Sequence, residues 1–197
     1  MPEVVFSQRI NSWLKSKGPK TFGDLEGLFS EKSFAVAFLI LMAPAALPLP
    51  TGGITHVFEV ITMLLALEMI AGRRRIWTPK FWQKRNLGNI LQKTALPKLI
   101  GLVGWFEKHS QKRLSGTLNN VWFLRIIGLL VFAFALASAM AIPFSGLDTL
   151  PALGIVLISL SLILEDALIL VYATAIGTAG IIVEVLFGSA VLHFLHF

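Results

Sequence analysis

The chain has 197 residues, 55% of them hydrophobic and 14% charged, with a mean hydropathy of +0.76 and a net charge of +6. A soluble domain carries about 25% charged residues, so this composition excludes an ordinary soluble protein and points to several membrane spans. The absence of cysteine excludes disulfides and thiolate metal sites.

Residues 1–32 read as a cytoplasmic, amphipathic N-terminal segment. No signal peptide is visible, because an apolar core of about 7–15 residues before a small-residue cleavage site is missing. Phe6, Ile10 and Leu14 follow helical spacing, with Arg9 and Lys15 beside them. Gly18-Pro19 breaks that helix, and Thr21-x-x-Asp24 resembles a capping box opening a short helix through Phe29.

Residues 33–75 form the first predicted hairpin. Ser33–Leu47 is uncharged and apolar, but as a helix it rises only about 22 Å, short of a ~30 Å hydrocarbon core. Pro44, Pro48 and Pro50 oppose a continuous helix, and Thr51-Gly52-Gly53 supplies a turn. A second helix is expected from Thr55 to Gly72, with Arg73–Arg75 marking a cytoplasmic end. Such a hairpin either barely crosses the bilayer or re-enters from one side.

Residues 76–120 read as a basic linker. From Arg73 to Asn120 there are eleven Lys or Arg and one acid, Glu107. Trp77, Phe81, Trp82, Trp105 and Phe106 stand among them, which suits helices lying in the membrane interface. Leu96–Phe106 is the most lipid-seeking stretch. Nucleic-acid binding is the rival for a basic-aromatic run, but its position between spans favours a cytoplasmic loop in contact with anionic lipid head groups.

Residues 121–166 form the second predicted hairpin. Val121–Ile142 carries one charge, Arg125, and reaches roughly 33 Å as a helix, enough to span. Pro143-Phe144-Ser145-Gly146 breaks it, and Leu150–Leu164 returns to Glu165-Asp166. Residues 167–197 are a C-terminal transmembrane segment. Ala167–Val183 is uncharged, Glu184 follows, and Ala173, Gly177 and Gly180 favour close helix contact. One long helix or two shorter pieces are both compatible with this stretch.

Pro50 and Gly53 of the first break fall against Pro143 and Gly146 of the second. Lipid cannot satisfy the amides and carbonyls that a break sets free. Two breaks at matching places therefore predict an internal repeat whose irregular backbone is buried or lines a cavity. The expected fold is all-α: a polytopic helical membrane protein with two Pro/Gly-broken hairpin repeats and an interfacial basic linker.

The run LPLPTGGITHVFEVITMLLALEMIAGRRRIW, the basic-aromatic middle and IPFSGLDTLPALGIVLISLSLILEDALIL together resemble the ExoD exopolysaccharide-synthesis family of bacterial inner-membrane proteins. The likeness extends from about Thr21 to Ile182. It implies a link to exopolysaccharide production and carries no catalytic motif to transfer. Two positions depart from the family pattern: Ile61 stands where proline is frequent, and Glu68 where glutamine is common.

Ionisable groups within spans are expensive and default to functional hypotheses. Glu59 lies three residues after His56, so both face one side of a helix near the first break. The pair can bind a cation or relay a proton, or simply fix the turn. Asp148 is the counterpart beside the second break, with helix capping as the alternative. Pro50, Gly53, Pro143 and Gly146 complete the expected site, since freed helix-end groups can hold ions. Glu68, Glu165, Asp166, Glu184 and Arg125 stand in a second rank. Glu68 faces away from Glu59 toward Arg73–Arg75, and Glu165-Asp166 suit a pairing with Arg125 or the basic loop. His193 and His196 share a face, but solvation is favoured over a metal site. No nucleophile-base set or phosphate-binding loop is present, so no catalytic residue, metal or cofactor is assigned.

These features predict a transport-type or translocation-accessory protein of the inner membrane, contacting anionic lipids. A homodimer is expected because five short spans enclose little volume, and the family likeness implies contact with polysaccharide machinery. A non-catalytic scaffold and an enzyme acting on a lipid-linked sugar are the rivals.

Overall fold

The computed structural model describes residues 6–18, 20–29, 32–47, 54–76, 96–111, 113–114, 120–141 and 145–195. Among these residues there are helices and turns and no β-strand. The helices are α1 (Phe6–Lys15), α2 (Phe22–Phe29), α3 (Ser33–Met42), α4 (Ile54–Ile70), α5 (Leu96–Glu107), α6 (Val121–Met140), α7 (Thr149–Leu164) and α8 (Ala167–Leu195).

The two short apolar helices, α3 and α7, are the centre of the molecule. Ten and sixteen residues long, they bury most of their side chains, including Phe34, Phe38, Leu39, Met42, Ile155, Ile158 and Leu162. α3 packs on α7, α4 packs on α6, and each hairpin's two helices also touch. α7 and α8 share the largest interface. Gly154 and Gly177 let these two helices meet backbone to backbone, with the Phe134 ring wedged against both. At the α4–α6 contact Gly128 lies against Ala66 and Ile70.

α3 stops at Met42 and continues as turns through Ala46, because Pro44 lacks the amide that would extend the ladder. Thus α3 is shorter than the apolar run that contains it. α6 and α8 are long and apolar enough to cross a membrane. α8 is one unbroken helix to Leu195, about 43 Å in length. Gly180 sits against Pro151 at the start of α7, so α8 runs on for about four turns past that point.

The chain directions follow from the helix ends. Lys32, at the start of α3, donates to the Ile163 carbonyl at the end of α7 (2.7 Å) and pairs with Glu165 (2.8 Å). Gly72, just past α4, lies against Val121 and Arg125 at the start of α6. Neighbouring helices are therefore antiparallel, and both hairpins have their open ends on one side. Lys32, Arg73–Arg75, Arg113 and Arg125 gather there, and it is called the basic end below. The opposite ends, where α3 and α6 finish and α4 and α7 begin, form the tip end.

α4 and α7 stop in the same way. A left-handed residue stands just past each helix, Gly72 two residues after α4 at φ 92° and Glu165 directly after α7 at φ 58°. An amide then reaches back five residues, Arg73 to the Glu68 carbonyl (3.2 Å) and Asp166 to the Ser161 carbonyl (3.1 Å). Gly72 takes this conformation without a Cβ clash, whereas Glu165 is held in it by Lys32.

The outer faces of α4, α6 and α8 are apolar. Val57, Leu64, Ile126, Leu129, Val171 and Leu186 are each at least 58% exposed. A large apolar surface of this kind does not face water in a monomeric soluble protein. At the periphery, α1 packs on α5, with the Ser7 amide and hydroxyl bonded to Glu107. Ile10, Leu96, Leu99 and Val103 are buried, while Trp105 is exposed. Thr21 and Asp24 form the expected capping box through reciprocal bonds of 3.1 and 3.2 Å. Trp77, Phe81 and Trp82 of the basic linker lie outside the described residues.

Candidate functional site

The buried stripe of α4 reads Thr55, Glu59, Thr62, Ala66, Met69, at helical spacing. Glu59 is fully buried, which an ionisable side chain tolerates only when its oxygens are satisfied. Both are. Nδ1 of His56 lies 2.7 Å from Glu59 Oε2, as expected for residues one turn apart. From the neighbouring α6, the Ser138 hydroxyl donates to Glu59 Oε1 at 2.7 Å, and Ser138 too is fully buried. The same hydroxyl lies 3.5 Å from the Asp148 carbonyl, which ties the network to the turn before α7.

Asp148 occupies the N-cap position of α7 but makes no side-chain capping bond. Its backbone is already helical there, at φ −60° and ψ −25°, rather than in the extended conformation usual for an N-cap. It lies instead within electrostatic reach of Glu59 and His56. Glu184, on α8 one turn beyond Gly180, is within reach of Asp148 and Glu59, and its Oε1 is buried without a hydrogen-bond partner. The Thr62 hydroxyl, one turn below Glu59 on the same stripe, is likewise buried and unpartnered. α4 and α6 thus bring His56, Glu59 and Ser138 into contact at the tip end, with Asp148 and Glu184 within electrostatic reach. Glu59 and Ser138 are fully buried, whereas His56, with 40% of its side chain exposed, Asp148 and Glu184 are partly exposed.

The other second-rank residues stand at the basic end. Glu68 faces away from Glu59 and pairs with Arg73 at 3.5 Å. Glu165 pairs with Lys32. Asp166 binds the Gln111 amide (2.9 Å) and the Arg113 guanidinium (3.0 Å), and caps α8 through the Leu168 amide (3.0 Å). Burial opposes ionisation of Asp166, yet these donors together hold its carboxyl below the ordinary 3.8. Arg125 stacks over Trp122 and lies against Gly72, so it joins neither Glu165 nor Asp166. Of the break residues, Gly146 is left-handed at φ 72° in the turn before α7. Pro50, Gly53, Pro143 and His196 lie outside the described residues. No three His, Asp or Glu side chains converge to hold a metal among the described residues.

Sequence reasoning did not single out Ser138 or Thr62. A hydroxyl in an apolar helix usually bonds its own backbone, and only the position of Ser138, five residues before Pro143, marks it as close to the break.

The amino-acid sequence that builds this helical bundle has known relatives. Residues 6–186 match the family described as "Exopolysaccharide synthesis, ExoD", and the chain belongs to that family. It is 29% identical to an uncharacterized protein of Synechocystis sp. over 189 residues, covering 92% of this chain and 83% of that protein. It is 27% identical to Protein ExoD of Rhizobium meliloti over 141 residues, covering 70% of this chain and 58% of that protein. No solved structure matches the chain.

Proposed function

We propose that the chain is a multi-pass protein of the bacterial inner membrane with a transport-type or translocation-accessory role in exopolysaccharide synthesis, working through the network around Glu59. Family membership supplies the link to exopolysaccharide. The apolar outer faces of α4, α6 and α8 support insertion in lipid. The gathering of Lys32, Arg73–Arg75, Arg113 and Arg125 at one end supports a cytoplasmic basic end.

An internal repeat is supported by a constant spacing of 93 residues. Pro50 and Pro143, Gly53 and Gly146, and Lys32 and Arg125 share it. So do the left-handed Gly72 and Glu165, and the amide-carbonyl pairs 73–68 and 166–161. The packing of α3 on α7 and α4 on α6 is what a two-fold relation between the hairpins requires. The axis of such a repeat would run along the helices, which supports a parallel rather than an inverted repeat.

The observation that carries the functional reading is the fully buried Glu59, held by groups from two helices. A hydrophobic pair of the same volume would serve stability at least as well. The test is replacement of the chromosomal copy by Glu59→Gln, with exopolysaccharide output and membrane abundance measured together. Output should fall at least tenfold at unchanged abundance. Unchanged output would overturn the assignment of this network.

A further inference from the structure

Resting on the membrane reading above, we propose that the basic end holds a binding site for an anionic phospholipid, in a cleft where α3, α4, α6 and α7 meet. Phe34, Ala35, Met69 and Leu162 line the cleft, none of them more than 4% exposed. The partly exposed Leu124 continues the apolar lining on the α6 side. Two cations complete it: Lys32 at the start of α3, with 24% of its side chain exposed, and the exposed Arg74 just past α4. This gradient of burial puts the apolar groups inside and the charges at the mouth. The cleft volume is about 20 Å³, a little more than one water needs. A ligand therefore enters with one end and keeps its bulk outside, as a lipid does and an enclosed soluble substrate does not. Met69 and Leu162 share the 93-residue spacing of the repeat, so a lipid seated between them touches both hairpins.

Charge selects the head group. The Glu165 carboxylate and the Ile163 carbonyl take two of the three donors of the Lys32 ammonium. Glu165 offsets that one charge, but Lys32, Arg73–Arg75, Arg113 and Arg125 outnumber Glu68, Glu165 and Asp166 across the basic end. A guanidinium holds a phosphate through two parallel N–H bonds, which assigns the phosphate to Arg74 and the first methylenes of the lipid to the cleft. A further donor stands nearby. Nε of Arg125 is buried without a partner, and that side chain lies against Gly72, two residues before Arg74. With the basic end cytoplasmic, the mouth is level with the anionic head groups of that leaflet.

The test is thermal unfolding of the purified full chain in a neutral detergent, titrated with phosphatidylglycerol, phosphatidylcholine or a polyprenyl phosphate. Phosphatidylglycerol should stabilise wild type at a concentration about tenfold or more below that of phosphatidylcholine. Arg74→Gln removes the phosphate contact and Ala35→Val fills the cleft. Each should raise the required concentration about tenfold or more, and Arg74→Gln decides if Ala35→Val does not fold. Lys98→Gln, at an exposed position of α5, should leave it unchanged. No preference for phosphatidylglycerol, a wild-type response in Arg74→Gln, or equal weakening by Lys98→Gln overturns the site. Saturation by polyprenyl phosphate at about a tenfold lower concentration than phosphatidylglycerol, with the same dependence on Arg74, overturns the phospholipid as occupant in favour of a carrier lipid. A chain recovered in the soluble fraction overturns the membrane reading itself, whereas a membrane-bound chain that fails the titration overturns the lipid site alone.

Discussion

Ser138 on α6 donates a 2.7 Å hydrogen bond to Glu59 on α4, across 79 residues of sequence and in full burial. Removing the hydroxyl leaves a buried carboxylate oxygen without its donor, which costs about 1–3 kcal/mol. Ser138→Ala should therefore lower the thermal unfolding temperature of the detergent-solubilised protein, with Ser138→Thr restoring most of it. An unchanged melting temperature in Ser138→Ala would show that the bond adds nothing.

The α7–α8 contact depends on two glycines. A Cβ on Gly177 would run into the buried Phe134 ring, and one on Gly154 would meet the Gly177 backbone at 2.7 Å. Overpacking of this kind costs about 1–3 kcal/mol. Gly177→Ala and Gly154→Ala should each destabilise the protein, while Gly188→Ala, with nothing within 4 Å, should be neutral or slightly stabilising. Equal behaviour of all three in thermal unfolding would mean that the helices do not meet this closely.

Leu129 is 60% exposed near the middle of α6. In water, Leu129→Lys would be harmless. In lipid, a lysine at a helix centre costs about 2.5–3.5 kcal/mol. Membrane fractionation of this variant should show at least a tenfold loss of inserted protein, and full insertion would count against α6 as a span.

Asp166 sets an acid limit. Its carboxyl is held below 3.8 in the folded state, burial being outweighed by the Gln111 and Leu168 amides and Arg113. A carboxyl lowered by folding contributes stability above its unfolded value, and that contribution is lost as pH falls through the folded one. Wild type should thus lead Asp166→Asn in stability at neutral pH, and the gap should close below about pH 4. Chemical unfolding at both pH values measures it; a constant gap would contradict the pairing.

Local features carried the fold and half of the site. Apolar runs placed the helices, and the three-residue spacing put His56 beside Glu59. What connects the halves was not legible. Ser138 looks like any hydroxyl in an apolar run until α6 is laid antiparallel to α4. Glu184 reaches the tip only because α8 is unbroken through Gly177 and Gly180. Asp148 has a capping residue's identity and position, yet its backbone is already helical and it makes no side-chain capping bond. Each depends on long-range packing, which spacing along the chain does not encode.

Lys32 opens the first hairpin, but its acceptors at Ile163 and Glu165 are translated more than 130 residues later. At about 5–20 residues per second, the ammonium waits on the order of ten seconds for them. Throughout that interval α3 has been made while its principal neighbour, α7, has not. Until the second hairpin arrives to close the bundle, the face of α3 that α7 will cover has no partner from this chain's second half.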